Sequence, residues 1–285
     1  MGISLAGCDE EEPIPAYVYI DEIALQTNQP TQGASAQDIV DAWVYIDGKL
    51  IGAFELPTRV PILSAGKHTL TVVPGIKKNG LFDQRVTYPF YQPYEQEVDL
   101  IPAVIDTVLP QVVYRSNVTF SWLEDFEDNA VSIEKSGSNT TADSLFITND
   151  AAHVFDFDGA ANRYSGQATI PGGFQIFENA TVQLFDLPRK GTEVYLELNF
   201  KCNTEFVVGV YPITGSFING VPIVNFYSTV DAAGEMQWKK AYVSLKEDIN
   251  NPNYAGASFR IFFNAQTNGE GQKQLFLDNL KLLHF

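Results

Sequence analysis

The sequence predicts an all-β fold, a small β-sandwich followed by a larger one, and three observations carry that expectation. Apolar residues recur at alternate positions or in short unbroken runs along the whole 285-residue chain, divided by Gly, Asn, Asp and Pro, and no segment holds helical spacing for three turns. The composition, with 20 Phe and 13 Tyr among 45% hydrophobic and 19% charged residues, suits aromatic-rich strands and is far from that of a disordered chain. A chain of this length also exceeds the usual single-domain size, so two cores are expected, built from roughly 100 and 170 residues.

The first strand is expected in residues 17–26, YVYIDEIALQ, where every second residue of the opening is apolar. After a polar loop, IVDAWVYIDGKLIGAFELP sets two strand-like runs around Asp47-Gly48, a hairpin dipeptide because the tight turn needs positive φ. VPILSAGKHTLTVVPGI then turns at Gly66 and alternates Leu70 and Val72 with Thr, extending an antiparallel meander. In this order, residues 17–105 resemble PEGA-type and related small surface β-sandwich domains, whose glycines serve turns rather than chemistry. The meander ends in an aromatic segment, YPFYQPY, in which Tyr88, Phe90, Tyr91 and Tyr94 alternate with Pro89 and Pro93. Such rings could form a rigid protruding loop that contacts a protein partner or a glycan, or could plug the joint between the two domains.

Pro102 and Pro110 interrupt sheet pairing, so residues 106–116 are expected to be a short connection. Beyond it, SLFITN, HVFDFDG, ATVQLFDL, EVYLELNFKC, FVVGVYPI, VPIVNFYSTV, QWKKAYVSL, ASFRIFFNAQ and QLFLDNLKLLHF are predicted strands of a two-sheet sandwich. The early WLEDFED and the closing LFLDNLKLLHF resemble the first and last strands of jelly-roll domains of the galactose-binding or carbohydrate-binding-module type. The expected fold class is therefore a small β-sandwich followed by a larger jelly-roll β-sandwich over residues 117–285, with its first and last strands side by side. The resemblance also implies a structural calcium shared by Glu124, Glu127 and Asp278, with Asp125, Asp128, Asp156 and Asp158 as further donors toward the six to eight oxygens calcium takes. The alternative is that these carboxylates, among 35 in the chain, simply face water. No cofactor is required by any motif.

The N-terminal stretch SLAGCDEEEP places small residues and a cysteine before an acidic run. Leu5-Ala6-Gly7-Cys8 resembles a bacterial lipobox, although residues 1–4 lack the basic and apolar parts of a full signal peptide. Asp9, Glu10, Glu11 and Glu12 resemble the export signal of Bacteroidota lipoproteins. Together they imply a lipobox and acidic tether over residues 1–16, with Cys8 lipidated, and an outer-membrane protein facing the cell exterior that touches the membrane through its lipid anchor only. Asp106-Thr107-Val108 and Asp143-Ser144-Leu145 resemble the O-glycosylation triplet of the same setting, making Thr107 and Ser144 candidate acceptors.

A formal net charge of −17 sets nucleic acid aside as a partner, since phosphates demand clustered Lys and Arg. The chain has no zincin HExxH, no GxSxG elbow and no phosphate-cradling loop, and His68, His153 and His284 stand apart from one another. Cys202, alternating with polar neighbours, is expected to be a small buried thiol. These features point to a non-catalytic protein, an accessory or scaffold subunit of an outer-membrane protein complex. The alternative is a surface glycan-binding protein, with Trp122, Trp238, Tyr164, Tyr227 and Tyr254 as candidate sugar platforms.

Overall fold

The structure is a computed structural model and describes residues 13–128, 130–157, 162–215 and 220–285. Cys8, Asp9, Glu10, Glu11, Glu12 and Asp158 lie outside the described residues.

The first sandwich comprises β1 (Ala16–Ile20), β2 (Ala24–Gln26), β3 (Asp41–Ile46), β4 (Lys49–Glu55), β5 (Thr58–Ile62), β6 (Gly66–Lys77), β7 (Arg85–Thr87), β8 (Tyr94–Leu100), β9 (Ile105–Val108) and β10 (Gln111–Val113). One sheet runs β4-β3-β6-β7 with β8 also paired to β6; it faces β5-β1-β9 and the short pair β10-β2. The β3–β4 hairpin closes at Ile46↔Lys49, with Asp47 at φ 50° and Gly48 at φ 77° as the turn chemistry requires. Period-2 patterning delivers Val18, Ile20, Val44, Leu70 and Val72 to the core.

The second sandwich comprises β11 (Thr119–Glu124), β12 (Ile133–Lys135), β13 (Phe146–Thr148), β14 (Ser165–Ile170), β15 (Gln175–Thr181), β16 (Val194–Cys202), β17 (Phe206–Ile213), β18 (Val221–Phe226), β19 (Lys239–Ser244), β20 (Ser258–Thr267) and β21 (Lys273–His284). Its front sheet runs β13-β14-β21-β16-β19 with β11 also on β21, and its back sheet runs β12-β15-β20-β17-β18. The twelve residues of β21 give one edge to β14 and β11 in turn and the other to β16, so the first and last strands of this jelly roll lie side by side. Leu196, Leu198, Phe263 and Leu277 are among the side chains that fill the space between the sheets.

Several sequence expectations change. Residues 106–116 are not a free connection: β9 pairs with β1 and β10 with β2, both parallel, and Val108, Val112 and Tyr114 enter the first core. Pro110 separates two strands without ending the domain. The described part of HVFDFDG, residues 153–157, forms no strand; the chain turns where His153 N and Val154 N donate to Asp150 O. The run ATVQLFDL leaves its sheet after Thr181. The predicted set also lacks β14, SGQATI, in which crowding excludes a side chain at Gly166: a Cβ there would stand 2.5 Å from Phe126 and 2.8 Å from Leu145. Among the described residues no helix is long and apolar enough to cross a membrane.

Candidate functional site: the domain junction and its cleft

Strand β16 sends Leu196, Leu198 and Phe200 into its own sandwich and Tyr195, Glu197, Asn199 and Lys201 to the other face. That second face reads as solvated by its polarity, yet all nine residues of β16 are buried. The first sandwich covers it at Tyr195 and Glu197, and Tyr195, Tyr242 and Leu283 of the second sandwich belong to the first sandwich's core, whereas Lys201 packs within its own sandwich, donating to Ala152 O at 2.7 Å.

The aromatic segment makes this junction. Tyr88, Phe90 and Tyr91 are each no more than 1% exposed, which corrects the expectation of a protruding contact loop. Tyr88 packs edge-on against Tyr195 and Phe90, Phe90 against Phe285, and Tyr91 against Tyr114. Tyr94 starts β8, half-buried, and its hydroxyl donates to Gln96 Oε1 at 2.5 Å. The prolines fix a compact path that presents the rings inward, so the plug reading describes the segment and the contact reading does not.

Beneath the plug lies a buried polar cluster that sequence reasoning missed. Tyr88 and Tyr114 donate to Glu197 Oε1 at 2.8 and 2.9 Å, and Lys240 Nζ stands 2.6 Å from Glu197 Oε2. Burial by itself would raise the Glu197 pKa, but Lys240, Lys281 and the hydrogen bond from Tyr88 hold it below the ordinary glutamate value. Lys281 Nζ donates to Ala34 O at 2.6 Å, and one carboxylate cannot answer two ammonium groups; burial first, then repulsion by Lys240, lowers the Lys281 pKa to about 7. This cluster ties the two sandwiches together.

Beside the junction opens a cleft of about 590 Å³, walled by the first sandwich on one side and by the rim of the front sheet on the other. That volume falls within the ~300–1,000 Å³ of small-ligand sites. The second sandwich contributes rings: Tyr227 is 68% exposed, Phe157 is 47% exposed, and Trp238 is half-buried. Phe157 stacks on Phe155 with planes 3° apart, and Phe155 meets Trp238 edge-on at 5.2 Å, so the rings hold one another in place. Two uncharged polar atoms of residues in this wall, Trp238 Nε1 and Asn199 Oδ1, are buried without a hydrogen-bond partner among the described residues, the latter on a residue 3% exposed. The opposite wall carries Asp38 and Lys77; burial raises the Asp38 pKa, with Lys77 and Lys240 opposing.

The other aromatic candidates stand elsewhere. Trp122 is core, its Nε1 donating to Ser132 Oγ at 2.8 Å, while Tyr164 and Tyr254 are half-buried against the same core. Thr107, on β9, and Ser144 are both exposed. Cys202 is a buried free thiol whose pKa burial raises.

The candidate calcium carboxylates are engaged by protein donors. Glu124 accepts from Phe126 N, Ser132 N and Ser132 Oγ; Glu127 Oε1 accepts from Arg163 N at 2.6 Å and Tyr164 N at 2.8 Å. Asp278 accepts from Ser165 Oγ and Asn279 N, and burial raises its pKa well above the aspartate norm despite those bonds. Among the described residues no group of three or more His, Cys, Asp or Glu is placed to hold a metal ion. This arrangement does not fit a shell of six to eight oxygens.

The folded chain is similar to a solved structure of carbohydrate-binding modules from the β-sandwich superfamily, at 14% identity and TM-score 0.43 with 85% of each chain covered. It is also similar to a carbohydrate-binding module specific for non-crystalline cellulose, at 11% identity and TM-score 0.38, over 55% of this chain and 91% of that one. A third likeness is to the K3 cleaved adhesin domain of Lys-gingipain from Porphyromonas gingivalis, at 16% identity and TM-score 0.35, over 57% of this chain and 98% of that one. Likeness at these values assigns no ligand. No protein-family model matches the chain, and no curated protein matches it.

Proposed function

We propose that this protein is a non-catalytic glycan-binding protein whose ligand sits in the cleft between its two sandwiches. The observation that carries the reading is the convergence, in one cleft, of the exposed rings of Tyr227 and Phe157 with the half-buried ring of Trp238. A sugar offers an apolar C–H face to stack on such rings and hydroxyl groups that both donate and accept. An accessory-subunit role rests on the export-like N-terminus, the absence of a catalytic motif and an exposed YPFYQPY segment, and the burial of Tyr88, Phe90 and Tyr91 removes the last of these. The export-like residues Cys8 and Asp9 to Glu12 support a lipid-anchored setting at the outer face of an outer membrane, where glycans are encountered. Release of a Cys8→Ala variant from the membrane fraction is expected, and retention of that variant with its anchor lost would oppose this setting.

The test is calorimetric titration against a panel of oligosaccharides with the native chain, Tyr227→Ala and Trp238→Ala. Each variant is expected to weaken binding by about tenfold, roughly 1.4 kcal/mol, the scale of one lost ring contact. Absence of binding across the panel, or binding that both variants leave intact, would overturn the proposal.

A further inference from the structure

Among the described residues the cleft is lined by three lysines and one acid, in a chain that has 35 acidic residues against 18 Lys and Arg. Lys77, at the end of β6, and Lys239, at the start of β19, both line it from opposite walls. Neither ammonium group has an ion pair within 4.0 Å or a hydrogen bond among the described residues, unlike Lys78, Lys240 and Lys246, which pair with Glu247, Glu197 and Glu193. Among the described residues Asp38 is the one acid on the lining, and Lys240 is held by Glu197, which leaves Lys77 and Lys239 against one carboxylate. Lys77 and Lys239 line one cleft from opposite walls beside the exposed rings of Tyr227 and Phe157, which leaves a place for an anion next to a platform for a sugar ring.

We infer that the cleft selects acidic saccharides, in which a carboxylate or sulfate ester lies between Lys77 and Lys239 while the sugar ring stacks on Tyr227 and Phe157. The inference rests on the glycan-binding reading and adds the ligand's charge to it. Lysine suits this role because its compact charge on a flexible stem meets either anion without demanding the planar two-point geometry of arginine. Neighbouring lysines act only at short range: at 0.15 M salt fields fade over about 8 Å, so the net charge of −17 does not repel a short acidic oligosaccharide from the cleft.

The experiment is titration at 0.15 M salt of the full chain with three matched probes: galacturonate oligosaccharides, sulfated galactose oligosaccharides and neutral galactose oligosaccharides. At least one acidic probe is expected to bind about tenfold or more tightly than the neutral one, and comparison of the two acidic probes separates carboxylate from sulfate as the source. Lys77→Met and Lys239→Met, which keep the apolar stems, are expected to abolish that preference with neutral binding unchanged, whereas Tyr227→Ala weakens acidic and neutral probes alike. Equal or tighter binding of the neutral probe would overturn the charge inference with the glycan-binding reading intact. A preference that survives both lysine variants would overturn it equally, and binding of no probe would count against both.

Discussion

Replacing Glu197 with Gln removes one negative charge from the junction while preserving side-chain shape. The carboxylate is fully buried and receives Tyr88 at 2.8 Å, Tyr114 at 2.9 Å and Lys240 at 2.6 Å, with Lys281 held in the same pocket. In the variant both tyrosine hydroxyls can still donate to the amide oxygen, so the loss falls mainly on Lys240, left charged and without an anion. Removing one partner of a buried pair costs about 3–5 kcal/mol because the surviving charge has no compensation. Against a total stability of about 5–15 kcal/mol this is a large fraction, readable as a lower urea midpoint and a lower melting temperature. Glu197→Gln/Lys240→Met is expected to recover much of the loss, since replacing both members of a buried pair by apolar or neutral groups is often close to neutral. A single variant within about 1 kcal/mol of the native chain, or a double variant no better than the single, would refute the account of this cluster as a charge-compensated joint.

Lys281 gives the junction a pH dependence. Its folded pKa lies near 7 against 10.5 in the unfolded chain. Below pH 7 both states are protonated, whereas between about 7 and 10 the unfolded chain alone binds the proton, so stability rises with pH by up to about 1.4 kcal/mol per unit. Above about 10 the buried Tyr88 and Tyr114, whose pKa values burial and then Glu197 raise, stay protonated in the folded state only, and the sign reverses. Melting temperature followed across pH 6–11 should therefore pass through an alkaline maximum, and Lys281→Met should flatten the rise; coincident profiles for the two proteins would contradict the assignment. Phe90→Ala, which empties a ring site at 0% exposure between Phe285 and Tyr195, is expected to destabilise by about 3–5 kcal/mol. Urea unfolding checks it, and a variant of native stability that has lost a binding partner would restore the contact-loop reading of this segment.

Much of the fold was legible because strand periodicity and turn chemistry are local. Asp47-Gly48 requires a hairpin through its positive φ angles, and the alternation of Val18, Ile20, Leu70 and Val72 selects a buried face without reference to anything distant. Strand β14 was not legible, because Ser165–Ile170 has little apolar signal and its Gly166 answers a crowding by Phe126 and Leu145 that exists only in the packed state. The site was less legible than the fold. Tyr227 and Trp238 were visible as candidate platforms by residue type, but nothing local separates them from Trp122, which has the same chemistry and lies in the core.

By itself the sequence determined an all-β chain of two sandwiches, with aromatic residues concentrated ahead of the junction, because pattern and turn residues act over a few neighbours. Only the tertiary structure decided what covers what. Glu197, Asn199 and Lys201 alternate like the wet face of a strand, yet all three are buried, Glu197 beneath Tyr88 and Tyr114 of the other sandwich. The same packing turned YPFYQPY from a display loop into a plug and brought Lys77 and Lys239, 162 residues apart in sequence, to opposite walls of one cleft. Burial and charge compensation are sums over the whole fold, and no window of neighbouring residues contains them.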